Sequence, residues 1–127
     1  MMLYLMSGGI DVKTTVELDT PKEISELCVS VKKLAENGEY EKCFNMICKI
    51  MGQYPHAAQP HNLLGIVLEH CGEHVMAMKH FRVACALDPT YKPALKNILT
   101  FGTSRAGGEY AYDESDCLGE NKKIYYR

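Results

Sequence analysis

Between Leu27 and Phe101, apolar residues recur at the three- and four-residue steps that gather them on one side of a helix. Leu27, Val31 and Leu34 form the first stripe. It stops at Asn37-Gly38, where glycine accepts the left-handed conformation past a helix end. A second stripe, Cys43, Phe44, Met46, Ile47 and Ile50, ends before Pro55. A third opens near Ala57–Pro60, carries Leu63, Leu64, Val67 and Leu68, and stops at Gly72. The fourth holds Val75, Met78, Phe81, Ala84, Cys85 and Leu87 and ends at Asp88-Pro89. The fifth runs from Tyr91 to about Phe101 on Leu95, Ile98 and Leu99, with Gly102 behind it. Thr20, Pro21 and Glu23 read as N-cap, first helical residue and capping-box partner of the first helix. Thr90 reads as a cap of the fifth, with Pro93 in its first turn.

The pattern repeats. Leu34 and Leu68, Gly38 and Gly72, Glu39 and Glu73, Cys43 and Ala77, Ile47 and Phe81, Ile50 and Ala84, Pro55 and Pro89 are each 34 apart, with no gap. Turn residues recur as turn residues and most core positions stay apolar, so one helical hairpin is used twice.

With these residues in view, the chain resembles the tetratricopeptide repeat family. The second unit carries the likeness best: Leu64-Gly65, Gly72 at the inter-helix turn, then Ala77, Phe81, Ala84, Leu87 and Pro89 at the family's offsets. Small Gly65 and Ala77 let two helices approach, and Phe81 fills the gap between neighbours. His61 and Leu68 depart from the family's aromatics, and the first unit has Ser30-Val31, Cys43 and Ile47 in the places of Leu-Gly, the small residue and Phe. The resemblance covers roughly residues 23–103. It implies an all-α fold: tetratricopeptide-type hairpins over 24–57 and 58–91 and a capping helix over 91–102, in a short right-handed superhelix. The domain is expected over 20–103, with an extended arm over 1–19 and an acidic, tyrosine-containing tail over 104–127.

The likeness also implies a concave face lined by the first helix of each pair. The positions that fall there are Cys28, Lys32 and Ala35, then Asn62, Ile66, Glu69 and His70, then Lys96 and Thr100. Some relatives hold a partner's C-terminal carboxylate in a clamp of Lys, Asn and Arg. The matching positions here are Cys28, Lys32, Leu63, Pro93 and Asn97, with Lys32 the sole cation, so that mode is not expected.

The flanks read differently. "IDVKTTVELD" alternates and is β-branched, which suits an extended arm or short strand. In "GGEYAYDESDCLGENKKIYYR" the runs EYAY and KKIYY read as strands of a hairpin, or the segment as a disordered tail. Glu109, Asp113, Glu114, Asp116 and Glu120 stand without a base among them, and Tyr110 and Tyr112 alternate with other residues. Such a segment can dock on a face carrying Lys32, Lys96 and Ile66, in its own chain or a second copy, and compete with outside ligands. The alternative is a solubilising tail.

Composition narrows the partners. The chain has 127 residues, 46% hydrophobic and 24% charged, with a formal charge of −2, so one domain with a core is expected and a nucleic-acid surface is not. No run approaches the length of a membrane span, and "MMLYLMSGG" lacks a basic start, so neither a membrane nor a secretory leader is expected. Cys28, Cys43, Cys48, Cys71, Cys85 and Cys117 contain no C-x-x-C pair and are expected as reduced, mostly buried thiols of a cytoplasmic protein.

Candidate chemistry centres on "LEHCGEHVMAMKH", residues 68–80, with His70, Cys71, His74 and His80. Gly72 breaks the helix between His70 and His74, so two histidines do not share a helical face as a metal motif requires. His70 instead suits a helix C-terminus, where positive charge is favoured. Cys28 on the concave face could be redox-active or inert. No metal, cofactor or catalytic residue is expected. The function expected is a non-catalytic protein–protein interaction module that binds a peptide or partner segment. The alternatives are a self-associating scaffold, as a homodimer, and a metal or redox sensor.

Overall fold

The 34-residue period survives in the backbone itself. The computed structural model describes residues 20–102 and 108–118, and the N-terminal arm expected over 1–19 lies outside them, as does KKIYY. Five helices follow in order: α1 Lys22–Glu36, α2 Tyr40–Gln53, α3 Ala58–His70, α4 His74–Leu87 and α5 Lys92–Phe101. A 3-10 helix, Glu114–Cys117, comes after them, and no strand occurs among the described residues. The protein is all-α and built from helical hairpins, α1 with α2 and α3 with α4, followed by α5.

Both hairpins turn in the same way. Gly38 (φ 78°) and Gly72 (φ 84°) adopt the left-handed conformation. In the first turn Gly38 N–H donates to Ala35 O and Glu39 N–H to Leu34 O; in the second Gly72 N–H donates to Glu69 O and Glu73 N–H to Leu68 O. This reciprocal pair satisfies carbonyls that a helix end leaves open. Glu39 and Glu73 then start α2 and α4 with matching backbone angles, φ −91°, ψ 67° and φ −93°, ψ 66°.

The caps depart from expectation. Pro21, extended at ψ 145°, is the N-cap of α1, and no side chain caps that helix. Thr90 does not cap α5 either: Tyr91 holds that place, and Thr90 donates from N–H and hydroxyl to Asp88 Oδ1 at 3.0 and 2.7 Å. A short aspartate loop bonding its own backbone has taken Thr90 out of the helix start.

The main core runs from Leu27, Val31 and Ile47 through Leu63, Ile66, Val67 and Phe81 to Phe101. Gly65 and Phe81 meet at its centre. A Cβ at Gly65 would lie 2.6 Å from Phe81 Cε1, so the aromatic ring occupies the space that glycine leaves. A smaller cluster of Ala58, Ala84, Tyr91 and Ala94 joins α3, α4 and α5.

Four apolar assignments change, Leu87 at 36% exposed among them. Val75 is 68% exposed at the outer start of α4. On α5, Leu95 (49%) and Leu99 (59%) face outward, while Pro93, Ala94, Asn97 and Phe101 are buried. The helix has turned an amide into the interior and two leucines out, and the reason lies in what covers it. Cysteine burial is also uneven: Cys28 and Cys43 are buried, but Cys48 and Cys71 are exposed.

Candidate functional site

Helices α1, α3 and α5 present Lys32, Asn62, His70, Asn97 and Thr100 to one side, and residues 108–118 lie across that side. At the centre is Ala111, wholly buried. Asn97 Oδ1 accepts the Ala111 N–H at 2.9 Å, and Asn97 Nδ2 donates to Ala111 O at 3.0 Å. Asn62 Nδ2 donates to the same carbonyl at 3.0 Å, and its Oδ1 accepts from Asn97 Nδ2 at 2.8 Å. An asparagine side chain thus pairs with the backbone N–H and C=O of one residue, as a neighbouring strand would. Both amides are fully buried, and this arrangement supplies the partners that burial demands.

Aromatic residues flank that grip. Tyr110 packs between His70 and Phe101, with ring centroids 4.4 and 4.6 Å away. Tyr112 is buried and belongs to the main core. Its hydroxyl lies 3.4 Å from His70 Nε2, while His70 Nδ1 lies 3.5 Å from the Tyr40 hydroxyl. A neutral imidazole suits both bonds, donating from one nitrogen and accepting at the other. Burial lowers the His70 pKa, outweighing the attraction of Glu36 and Glu69, so His70 is held neutral rather than charged by the helix end.

Beyond the tyrosines the contact becomes electrostatic. Lys32 Nζ donates to Asp116 Oδ1 at 3.0 Å, and Asp116 Oδ2 accepts the Tyr112 N–H at 2.8 Å. Burial alone pushes the Asp116 carboxyl up, but the Lys32 and Tyr112 hydrogen bonds outweigh it and leave its pKa below the ordinary value. Lys32 also lies 5.8 Å from the Tyr112 ring centroid. Asp113 Oδ1 accepts the Ser115 N–H at 2.9 Å and so starts the 3-10 helix.

The expected concave-face residues divide by role. Lys32, Asn62 and His70 hold the 108–118 segment directly, and the methyl of Thr100 crowds Gly108 so closely that a Cβ there would clash. Ile66 and Tyr112 share the core, as does Ala35. Glu69 turns toward His74, whose Nδ1 lies 3.0 Å from it, and Lys96 is half-buried near Cys117. Cys28 is buried, and burial, with Asp113 and Asp116 adding to it, pushes its thiol up to about 12, which removes it as a reactive thiolate. His70, Cys71 and His74 do not converge: among the described residues no three or more His, Cys, Asp or Glu are grouped to hold a metal ion.

Asn97, Phe101 and Tyr40 were not among the expected face residues. Asn97 occupies the place on α5 that Leu63 occupies on α3, 34 residues earlier, and a polar residue at a repeat's core position was the available signal. The EYAY run forms no strand: Ala111 bonds to the side chains of Asn62 and Asn97, and the KKIYY run expected to pair with it lies outside the described residues.

Comparison with known proteins adds one likeness. Over 74 residues, 58% of this chain, the sequence is 31% identical to "Probable biofilm formation methyltransferase WspC" of Pseudomonas putida. The matched stretch spans 18% of that protein's length. No family model matches the chain, and no solved structure gives a significant match. The likeness to a protein named as a methyltransferase corrects the expectation that the chain is not an enzyme. The physical reason for the error is that a repeat scaffold says nothing about the chemistry of the protein it serves. No helix among the described residues is long and apolar enough to cross a membrane.

Proposed function

We propose that the hairpins are tetratricopeptide-type repeats and that their concave side binds an extended segment of a protein. The observation that carries this reading is the Asn62–Asn97 pair closed on the backbone N–H and C=O of Ala111. Those amides sit in the core and recognise main chain, which every protein ligand offers, while the aromatic and charged groups around them supply selection. The test is selection of random peptides on the immobilised full chain, followed by Asn97→Ala. Loss of two hydrogen bonds, each worth about 1 kcal/mol, should weaken the selected peptides by about tenfold or more. Equal binding to the variant would place the site elsewhere.

A second reading, self-association, draws support from the outward Leu95 and Leu99 on α5. It requires a dimer in sedimentation that Leu95→Asp disperses. The relative's name brings methyl transfer into the proposal as the setting in which such a binding segment works. Incubation of the full chain with a labelled methyl donor and partner proteins tests that setting. The free state of the six cysteines fits a reducing compartment, and we place the protein in the cytoplasm, which cell fractionation checks.

A further inference from the structure

We infer that the ligand class of this face is an acidic, tyrosine-bearing segment of another protein, of the order Tyr-small-Tyr followed by a carboxylate four residues on. The inference deepens the reading above and rests on it. Residues 108–118 act as a resident copy of that ligand, which the outside segment displaces.

Each position of the resident segment meets a different selective feature. Ala111 is wholly buried beneath the two asparagines, so its place admits only a small side chain. The place of Tyr112 is a core slot that ends on His70, within reach of a phenolic hydroxyl. The place of Tyr110 lies between the His70 and Phe101 rings, which take a flat aromatic. The place of Asp116 meets Lys32. Lys92 and Lys96 also lie near Cys117, and Lys92 near Glu114, with Asp88 opposing it there, while the resident segment is acidic.

The segment is also held in a way that permits exchange. Side chains of α1, α3 and α5 make its bonds to the helices, and they are available to any chain of the same chemistry. Its ion pair is partly exposed, with the Lys32 side chain 41% accessible, and such pairs contribute little. What favours the resident copy is attachment: a tethered segment competes at an effective concentration of about millimolar. An outside segment of the same chemistry therefore has to be locally concentrated or better fitted.

The experiment uses the full chain and a fluorescein-labelled peptide Gly-Glu-Tyr-Ala-Tyr-Asp-Glu-Ser-Asp-Cys-Leu, read by anisotropy. Ala111→Trp in the protein evicts the resident segment, since the buried site has no room for an indole. The variant should bind the peptide at least tenfold more tightly than the unaltered chain does. Peptides carrying Ala111→Trp, Tyr112→Ser or Asp116→Lys should each lose tenfold or more on the same variant. Lys32→Glu, added to Ala111→Trp, should restore the Asp116→Lys peptide, an exchange that misfolding cannot produce. Should circular dichroism show Ala111→Trp unfolded, Tyr112→Ser in the full chain, which empties the core slot, takes its place. A randomised pool enriched on the opened face in basic or aliphatic sequences would overturn the ligand class and leave the peptide-binding reading standing. Retention of no peptide at all would sink both.

Discussion

Asn97 carries more of the site than any other side chain, and its position looks wrong until its partners are counted. A buried, unsatisfied amide costs about 1–3 kcal/mol, which is why a hydrophobic reading of α5 passes over it for Leu95 and Leu99. Its three hydrogen bonds to Asn62 and Ala111 cancel that cost, and the helix is rotated accordingly. Gly65 is the opposite case, a position legible from the family resemblance of the second unit, since Val31 stands in its place in the first. Its missing Cβ is the space of the Phe81 ring. Gly65→Ala should destabilise the fold by about 1–3 kcal/mol in urea melts through overpacking. Adding Phe81→Leu should return part of the loss, and strictly additive effects would show that the two residues do not share that space.

At the scale of elements, the two hairpin turns are the parts the sequence specifies most completely. Gly38 and Gly72 have open space where a Cβ would stand, so the cost of substitution there is backbone strain alone. Gly38→Ala and Gly72→Ala should each cost about 1–2 kcal/mol, and by similar amounts, because the two turns have matching geometry. Thermal melts compare them directly. A large inequality would mean that one turn is held by its surroundings rather than by its own conformation. Asp116 belongs to this scale too, since it ties the 108–118 segment to α1 and closes its own turn on Tyr112. Asp116→Asn should cost up to about 1 kcal/mol and speed amide exchange at Tyr112 while leaving α1 to α4 protected. Unchanged exchange at Tyr112 would remove the ion pair from the account.

Among the described residues, acid weakens the fold through two sets of groups, in separate windows. Burial lowers the pKa of His61, His70 and His80, with His80 adding to the effect at His61, so the fold prefers these rings neutral. The unfolded chain then binds more protons as pH falls through about 6.5, and stability rises with pH across that range. His61 and His80 sharpen the effect: their Nδ1 atoms are 3.2 Å apart, a bond that needs at least one of them unprotonated. The melting temperature should fall between pH 7 and pH 5, and the fall should be smaller in His61→Gln. A flat profile would show these rings titrating as they do in the open chain. Asp116 acts lower. Its depressed pKa gives stability that is present above the ordinary carboxylate value and is lost as pH falls through the lower folded one.

The sequence by itself determined the helices, their two glycine turns and the 34-residue period, because each depends on residues near in the chain or repeated at a fixed spacing. It also marked Lys32, Asn62, His70 and Thr100 as one face and offered the acidic tyrosine segment as its cover. What tertiary structure decided is everything that needs a partner from far along the chain. The burial of Asn97, the exposure of Leu95 and Leu99 and the neutral state of His70 depend on where residues 110–112 lie, 13 or more positions beyond Asn97 and 40 or more beyond His70. A periodic pattern records how apolar a position is. It does not record which distant peptide group arrives to satisfy a polar one.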